Sequence, residues 1–142
     1  MFMAKEMEKI DIREIRMLVH KHAESRFVHT AYDDESFRFH LLMNGDMRAV
    51  EESEKKLDAS IQGTLSADPV RNMRYLFIIN TGLATRYMVE AGLSQETVFS
   101  ISDVYIQKAD TAETVKRIKE LNREIKFFVR SFYSFLYGKY SV

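Results

Sequence analysis

The stretch DPVRNMRYLFIINTGLATRYMVEAG, residues 68–92, decides the fold. It holds the single proline of the chain and two of its five glycines. Asp68 can accept the free amides of a helix start, and Pro69 fills the first helical position, where a missing N–H costs nothing. Gly92 can take the left-handed conformation that ends a helix. The stretch reads as one long helix from Pro69 to Ala91, about 23 residues or roughly 34 Å. Its middle is unusual. Leu76, Phe77, Ile79 and Leu83 predict burial, yet Asn80, Thr81, Gly82, Ala84 and Thr85 set small and polar residues among them. Small residues permit close helix approach, and buried amides or hydroxyls need partners. Two readings stay open: tight packing on the following helix, or a small polar ligand pocket built from Asn80, Thr81, Thr85 and Arg86. Arg86 and Asp103 are the charged pair expected to meet there, in a structural role first.

The segments on either side also read as helix. Upstream, Ile12, Ile15, Leu18, Val19 and Phe27 recur at spacings near 3 and 4 between Asp11 and Phe27, an amphipathic first helix. Asp33 and Asp34 open a second helix through Phe37, Leu41 and Leu42 that stops at Asn44-Gly45, and Asp46 caps a third through Met47, Val50 and Leu57. Ala59 to Asp68 is the one loop of length. Downstream, Ser94 caps a fifth helix with Val98, Ile101, Val104 and Tyr105, and Asp110 with Glu113 fits a capping box opening a sixth that runs to about Tyr137. The expected architecture is all-α: about six helices, antiparallel hairpins in an irregular bundle, with a long C-terminal helix.

That last helix carries the strongest pattern. Ile118, Leu121, Ile125, Phe128, Phe132 and Phe135 follow one another at spacings of 3 and 4, a coiled-coil-like seam. Phe127, Val129, Tyr133, Leu136, Tyr137 and Tyr140 lie off it, so the end of the helix is apolar over more than one face. Either the first helices of the domain wrap it, or it is a dimer interface, formed by Phe128, Phe132, Tyr133, Phe135 and Leu136, or the root of a further domain.

Composition narrows the function classes. The 142 residues fit one domain, residues 1–142. Lys plus Arg equals Asp plus Glu at 21 each, so no net basic field draws nucleic acid to the domain. The chain has no cysteine, which excludes disulfides, thiolate nucleophiles and Cys-based zinc sites and suits a reducing, cytoplasmic setting. Charges interrupt the first ten residues, unlike a signal peptide, and no run approaches the roughly 20 apolar residues of a membrane span. His20, His22, His29 and His40 show no double-histidine spacing of i, i+4, so no metal or other cofactor is expected. Without a nucleophile elbow, phosphate loop or clustered carboxylates, no enzymatic activity is expected either. The run Glu51, Glu52, Glu54, Lys55, Lys56 reads as a solvated face with i, i+4 pairs.

The segments DPVRNMRYLFI, TGLATRYMVEAGL and SISDVYIQKAD, in this order, resemble the helical N-terminal region of AraC-type transcriptional regulators of Gram-positive bacteria. The hairpin YDDESFRFHLLMNGDMRAVEESEKKL is similar to the short helical pair of the same family, and the resemblance runs from about Tyr32 to Tyr137. It implies a regulatory region that senses a signal or sets the oligomeric state, here expected to be a homodimer with a small-molecule or protein effector. It implies contact with DNA only through a C-terminal pair of helix-turn-helix motifs, which residues 1–142 do not contain. A helical protein-interaction module that binds a partner peptide is the other class that fits.

Overall fold

A computed structural model describes residues 11–29, 32–44, 46, 48 and 63–137. The protein is all-helical. Five helices occupy the described residues: α1 (Ile12–Glu24), α2 (Tyr32–Met43), α3 (Pro69–Glu90), α4 (Gln95–Thr111) and α5 (Val115–Tyr137). The third helix expected from Asp46 onward falls almost wholly outside the described residues, although Asp46 does accept the Arg48 amide at 2.9 Å.

α3, α4 and α5 pack on one another as the centre of the bundle, and α2 lies across α3 and α5. The core they enclose includes Phe39 of α2, Leu76 and Phe77 of α3, Val98 of α4, and Ile118, Leu121 and Ile125 of α5. Phe39 stacks on Tyr87 with ring centroids 4.6 Å apart, which fixes α2 against α3.

The cap chemistry of α3 is as expected. Asp68 accepts the Arg71 amide at 2.8 Å, and Pro69 is the first helical residue. At the far end Gly92 takes φ +99°. Its N–H reaches the Val89 carbonyl, and the Leu93 N–H reaches that of Met88, both closing orphan carbonyls. Leu93 and Met88 are both buried, so the same turn adds a hydrophobic contact. Ser94 then caps α4. The chain reverses in four residues, which makes α3 and α4 antiparallel neighbours.

Three expectations need correcting. Within α3 the buried face is Asn72, Met73, Leu76, Phe77, Asn80, Thr81, Ala84, Thr85 and Met88, while Ile79 is 50% exposed. Asn80 and Thr81 take the core positions that Ile79 was expected to fill. Asp110 and Glu113 do not form a capping box: Asp110 lies in the last turn of α4, and the Thr114 hydroxyl accepts the Arg117 amide at 3.1 Å to start α5. α4 runs on past Asp110 because Arg74 of α3 reaches its end. The Arg74 guanidinium donates to the Ala109 carbonyl from Nε and to that of Ala112 from Nη2, both at 2.9 Å. Finally, α1 ends three residues before Phe27, because Arg26 turns left-handed at φ +56°. The Phe27 amide closes on the His22 carbonyl there at 2.9 Å.

Candidate interaction surface

The seam of α5 divides in two. Ile118, Leu121 and Ile125 are 0%, 0% and 2% exposed, whereas Phe128, the next residue in the series, is 48% exposed. Phe128 still lies beside α4, where it lines one surface with Thr97, Ile101 and Tyr105; α5, with 23 residues against 17 in α4, outruns its antiparallel neighbour only beyond that point, by roughly 9 Å. The side chains of Phe132, Tyr133, Phe135 and Leu136 lie outside the described residues, although the backbone there continues the helix.

Around Phe128 the surface is hollow. Two adjoining depressions of about 600 and 550 Å³ share Tyr105 and Phe128 and form one groove between α4 and α5. Its α4 wall is built by two i, i+4 ridges, Glu96–Ser100–Val104–Lys108 and Thr97–Ile101–Tyr105. Its α5 wall carries Glu120, Arg123, Glu124, Phe127, Phe128 and Ser131. Arg117 bridges both carboxylates, at 3.1 Å from Glu124 and 3.5 Å from Glu120, and this keeps its guanidinium protonated further above the usual arginine range. Lys108 sits 5.2 Å from the Tyr105 ring centroid, and Arg123 lies 5.2 Å from that of Phe127. The walls therefore hold aromatic faces with cations laid over them. Burial pushes the Tyr105 phenol above its ordinary value of 10.0, and the charge of Glu124 adds to the shift.

The expected pocket residues of α3 sit in two different environments. Asn80, Thr81 and Thr85 are buried, while Arg86 is exposed. Asn80 Nδ2 donates to the Leu76 carbonyl at 2.9 Å, and the Thr85 hydroxyl donates to that of Gly82 at 2.8 Å, so both bonds close within α3. The Thr81 hydroxyl is fully buried with no hydrogen-bond partner. Arg86 does not meet Asp103. It donates to the Gly82 carbonyl and the Thr85 hydroxyl and lies 5.1 Å from the Phe99 ring centroid, while Asp103 faces solvent.

A second exposed apolar surface lies on α1. None of its residues is buried: Ile12, Ile15, Leu18 and Val19 are 48%, 57%, 52% and 62% exposed. Its C-terminal turn carries a local cluster of rings. His22, Phe27 and His29 form a triangle of rings with centroids 4.8 to 5.3 Å apart. His29 approaches Gly63, at φ +84°, so closely that a Cβ there would lie 3.0 Å from Nε2. His20 pairs with Glu24 at 3.0 Å. Among the described residues no three of His, Cys, Asp and Glu gather as a metal cluster, and no helix is long and apolar enough to cross a membrane.

No known protein family, curated protein or solved structure matches the chain.

Proposed function

We propose that the domain is the regulatory, dimerising part of an AraC-type transcriptional regulator acting in the cytoplasm, as its sequence resemblance implies. In this reading the outer half of α5 closes a homodimer through Phe128, Phe132, Tyr133, Phe135 and Leu136. DNA is reached only through a further domain, and a small-molecule or protein effector biases the arrangement of the two α5 helices. Such a bias shifts populations between dimer geometries and so changes the spacing of attached DNA-reading heads. The observation that carries the reading is Phe128, half-exposed where the preceding seam residues Ile118, Leu121 and Ile125 are buried.

The test is the solution mass by light scattering across a concentration series, for the wild type and for Phe128→Ser/Phe132→Ser. The reading expects a wild-type dimer and a variant that dissociates with its helical content kept. A wild-type monomer at every concentration would overturn it.

The open groove between α4 and α5 also favours the second reading, a module that binds a helical peptide of another protein. A monomer that binds amphipathic peptides through Tyr105 and Phe128 would favour that reading over the first.

A further inference from the structure

The outward face of α3 carries a stripe whose spacing is the same in both directions. Arg71, Tyr75, Ile79, Gly82, Arg86 and Glu90 follow one another at steps of 4, 4, 3, 4 and 4 residues, and on a helix they fall within about 100° of arc. We infer that this stripe is a contact between two copies of the chain, in which α3 of one packs antiparallel on α3 of the other across a two-fold axis between Ile79 and Gly82. The contact is separate from the one at the outer half of α5 and draws on none of its residues.

The face is open. Tyr75 and Ile79 are 42% and 50% exposed, and Arg71, Arg86 and Glu90 are exposed as well. Gly82 leaves a gap on the same face, since a Cβ built there meets nothing within 4 Å. A glycine inside a helix lowers the stability of that helix, and no side chain of its own chain fills the space this one leaves. Between two helices such a space permits close approach.

Symmetry and charge name the occupant. A two-fold contact joins the same patch on both copies, so the patch must complement itself. The antiparallel register that sets Ile79 level with Gly82 of the other copy also sets Tyr75 level with Arg86, and Arg71 level with Glu90. The isoleucine then lies over bare glycine backbone, and each end of the stripe closes on an opposite charge. Those end charges are uncommitted: among the described residues neither Arg71 nor Glu90 makes an ion pair. Asp68, Asp110 and Glu113 line a polar depression with Arg71, yet none of them pairs with it. A parallel pair would instead set Arg71 beside Arg71 and Glu90 beside Glu90, so like-charge repulsion selects the antiparallel arrangement. Arg86 is held by its own chain, through the Gly82 carbonyl, the Thr85 hydroxyl and the Phe99 ring, and what it adds is a ring contact with Tyr75 of the other copy. Because a row of i, i+4 residues winds slowly round its helix, the two helices cross at an incline, as ridge-in-groove pairs do.

Light scattering across a concentration series, with circular dichroism to follow helical content, tests the contact on the full chain. The samples are the wild type, Gly82→Met, Arg71→Glu, Glu90→Arg, an equimolar mixture of the last two, and Phe128→Ser/Phe132→Ser. Gly82→Met is the sharpest probe, because methionine favours helix over glycine and so supports the fold while it fills the gap. The contact predicts a wild type that self-associates, and a dissociation constant raised at least about tenfold by each single α3 substitution with helical content kept, since a new side chain or like charges then meet across the axis. It also predicts that the mixture restores association, because its two chains again pair unlike charges at both ends. Where the α5 contact holds as well, the wild type exceeds a dimer and each set of variants removes one step. Self-association untouched by Gly82→Met, or a mixture no tighter than its components, would overturn the α3 contact, and dissociation of Phe128→Ser/Phe132→Ser in the same series would leave the α5 contact standing without it. Loss in the α3 variants with Phe128→Ser/Phe132→Ser still fully associated would support the α3 contact and remove the α5 one. A monomeric wild type at every concentration would overturn both.

Discussion

Removing the Arg74 guanidinium tests how the interface helix is held. Its two bonds to the Ala109 and Ala112 carbonyls join α3 to the end of α4 and so set the turn from which α5 departs. Ala109 and Ala112 are 0% and 6% exposed, so water replaces these bonds poorly. A hydrogen bond to a charged group contributes about 1.5–3 kcal/mol, and two from one guanidinium are not independent, so Arg74→Met should cost about 2–4 kcal/mol. Methionine keeps most of the aliphatic stem, which leaves the loss to the bonds. Arg74→Lys should recover about half, since an ammonium is a point charge and does not present the rigid fork that spans both carbonyls. The assay is urea unfolding followed by far-ultraviolet circular dichroism, where the midpoint shifts at constant slope. Against a typical stability of about 5–15 kcal/mol the effect is large. A loss below about 1 kcal/mol for Arg74→Met would refute the reasoning and show the contact to be solvent-replaceable.

Three further predictions follow from single residues. Thr81→Val swaps an unpartnered buried hydroxyl for a methyl of the same shape, so stability should hold or rise by about 1 kcal/mol in the same urea assay; a clear loss would point to a bound polar partner at that position. Gly63→Ala should cost about 1–2 kcal/mol by thermal or urea unfolding, because alanine is strained at positive φ, while the exposed His29 ring can move aside. Tyr105 should ionise above 10.0 in an alkaline absorbance titration, and Tyr105→Phe should remove that late step. The unfolded phenol loses its proton first, so the stability linked to Tyr105 is full below pH 10.0 and falls as pH rises through the folded value.

The helix ends were legible where local chemistry sets them. Asp68-Pro69, Gly92 and Ser94 act within a few residues, and each behaves as its side chain or missing side chain dictates. Asp110 with Glu113 failed as a cap because a residue 36 positions earlier, Arg74, reaches the end of α4 through the fold. Periodicity identified the apolar stripe of α1 and the seam of α5 but not what covers them. A stripe reports which face can be buried, and only packing decides whether the same chain supplies the cover. Ile79 and Asn80 show the same limit inside α3: hydropathy favours the isoleucine for the core, while the small residues Thr81, Ala84 and Thr85 turn the asparagine inward. The groove was the least legible feature, because Ile101, Val104 and Tyr105 share the apolar spacing of the buried Val98, and only the packing leaves Val104 half-exposed at a cleft.

The central claim is that two copies meet through the outer half of α5. Its most direct test is a spin label at Ser131→Cys, an exposed position beside the seam, read by pulsed dipolar spectroscopy on the otherwise cysteine-free chain. The account predicts one narrow intermolecular distance, short enough for helices packed about 8–10 Å apart with a label on each, and its disappearance in Phe128→Ser/Phe132→Ser. A featureless background decay from the wild type would contradict it.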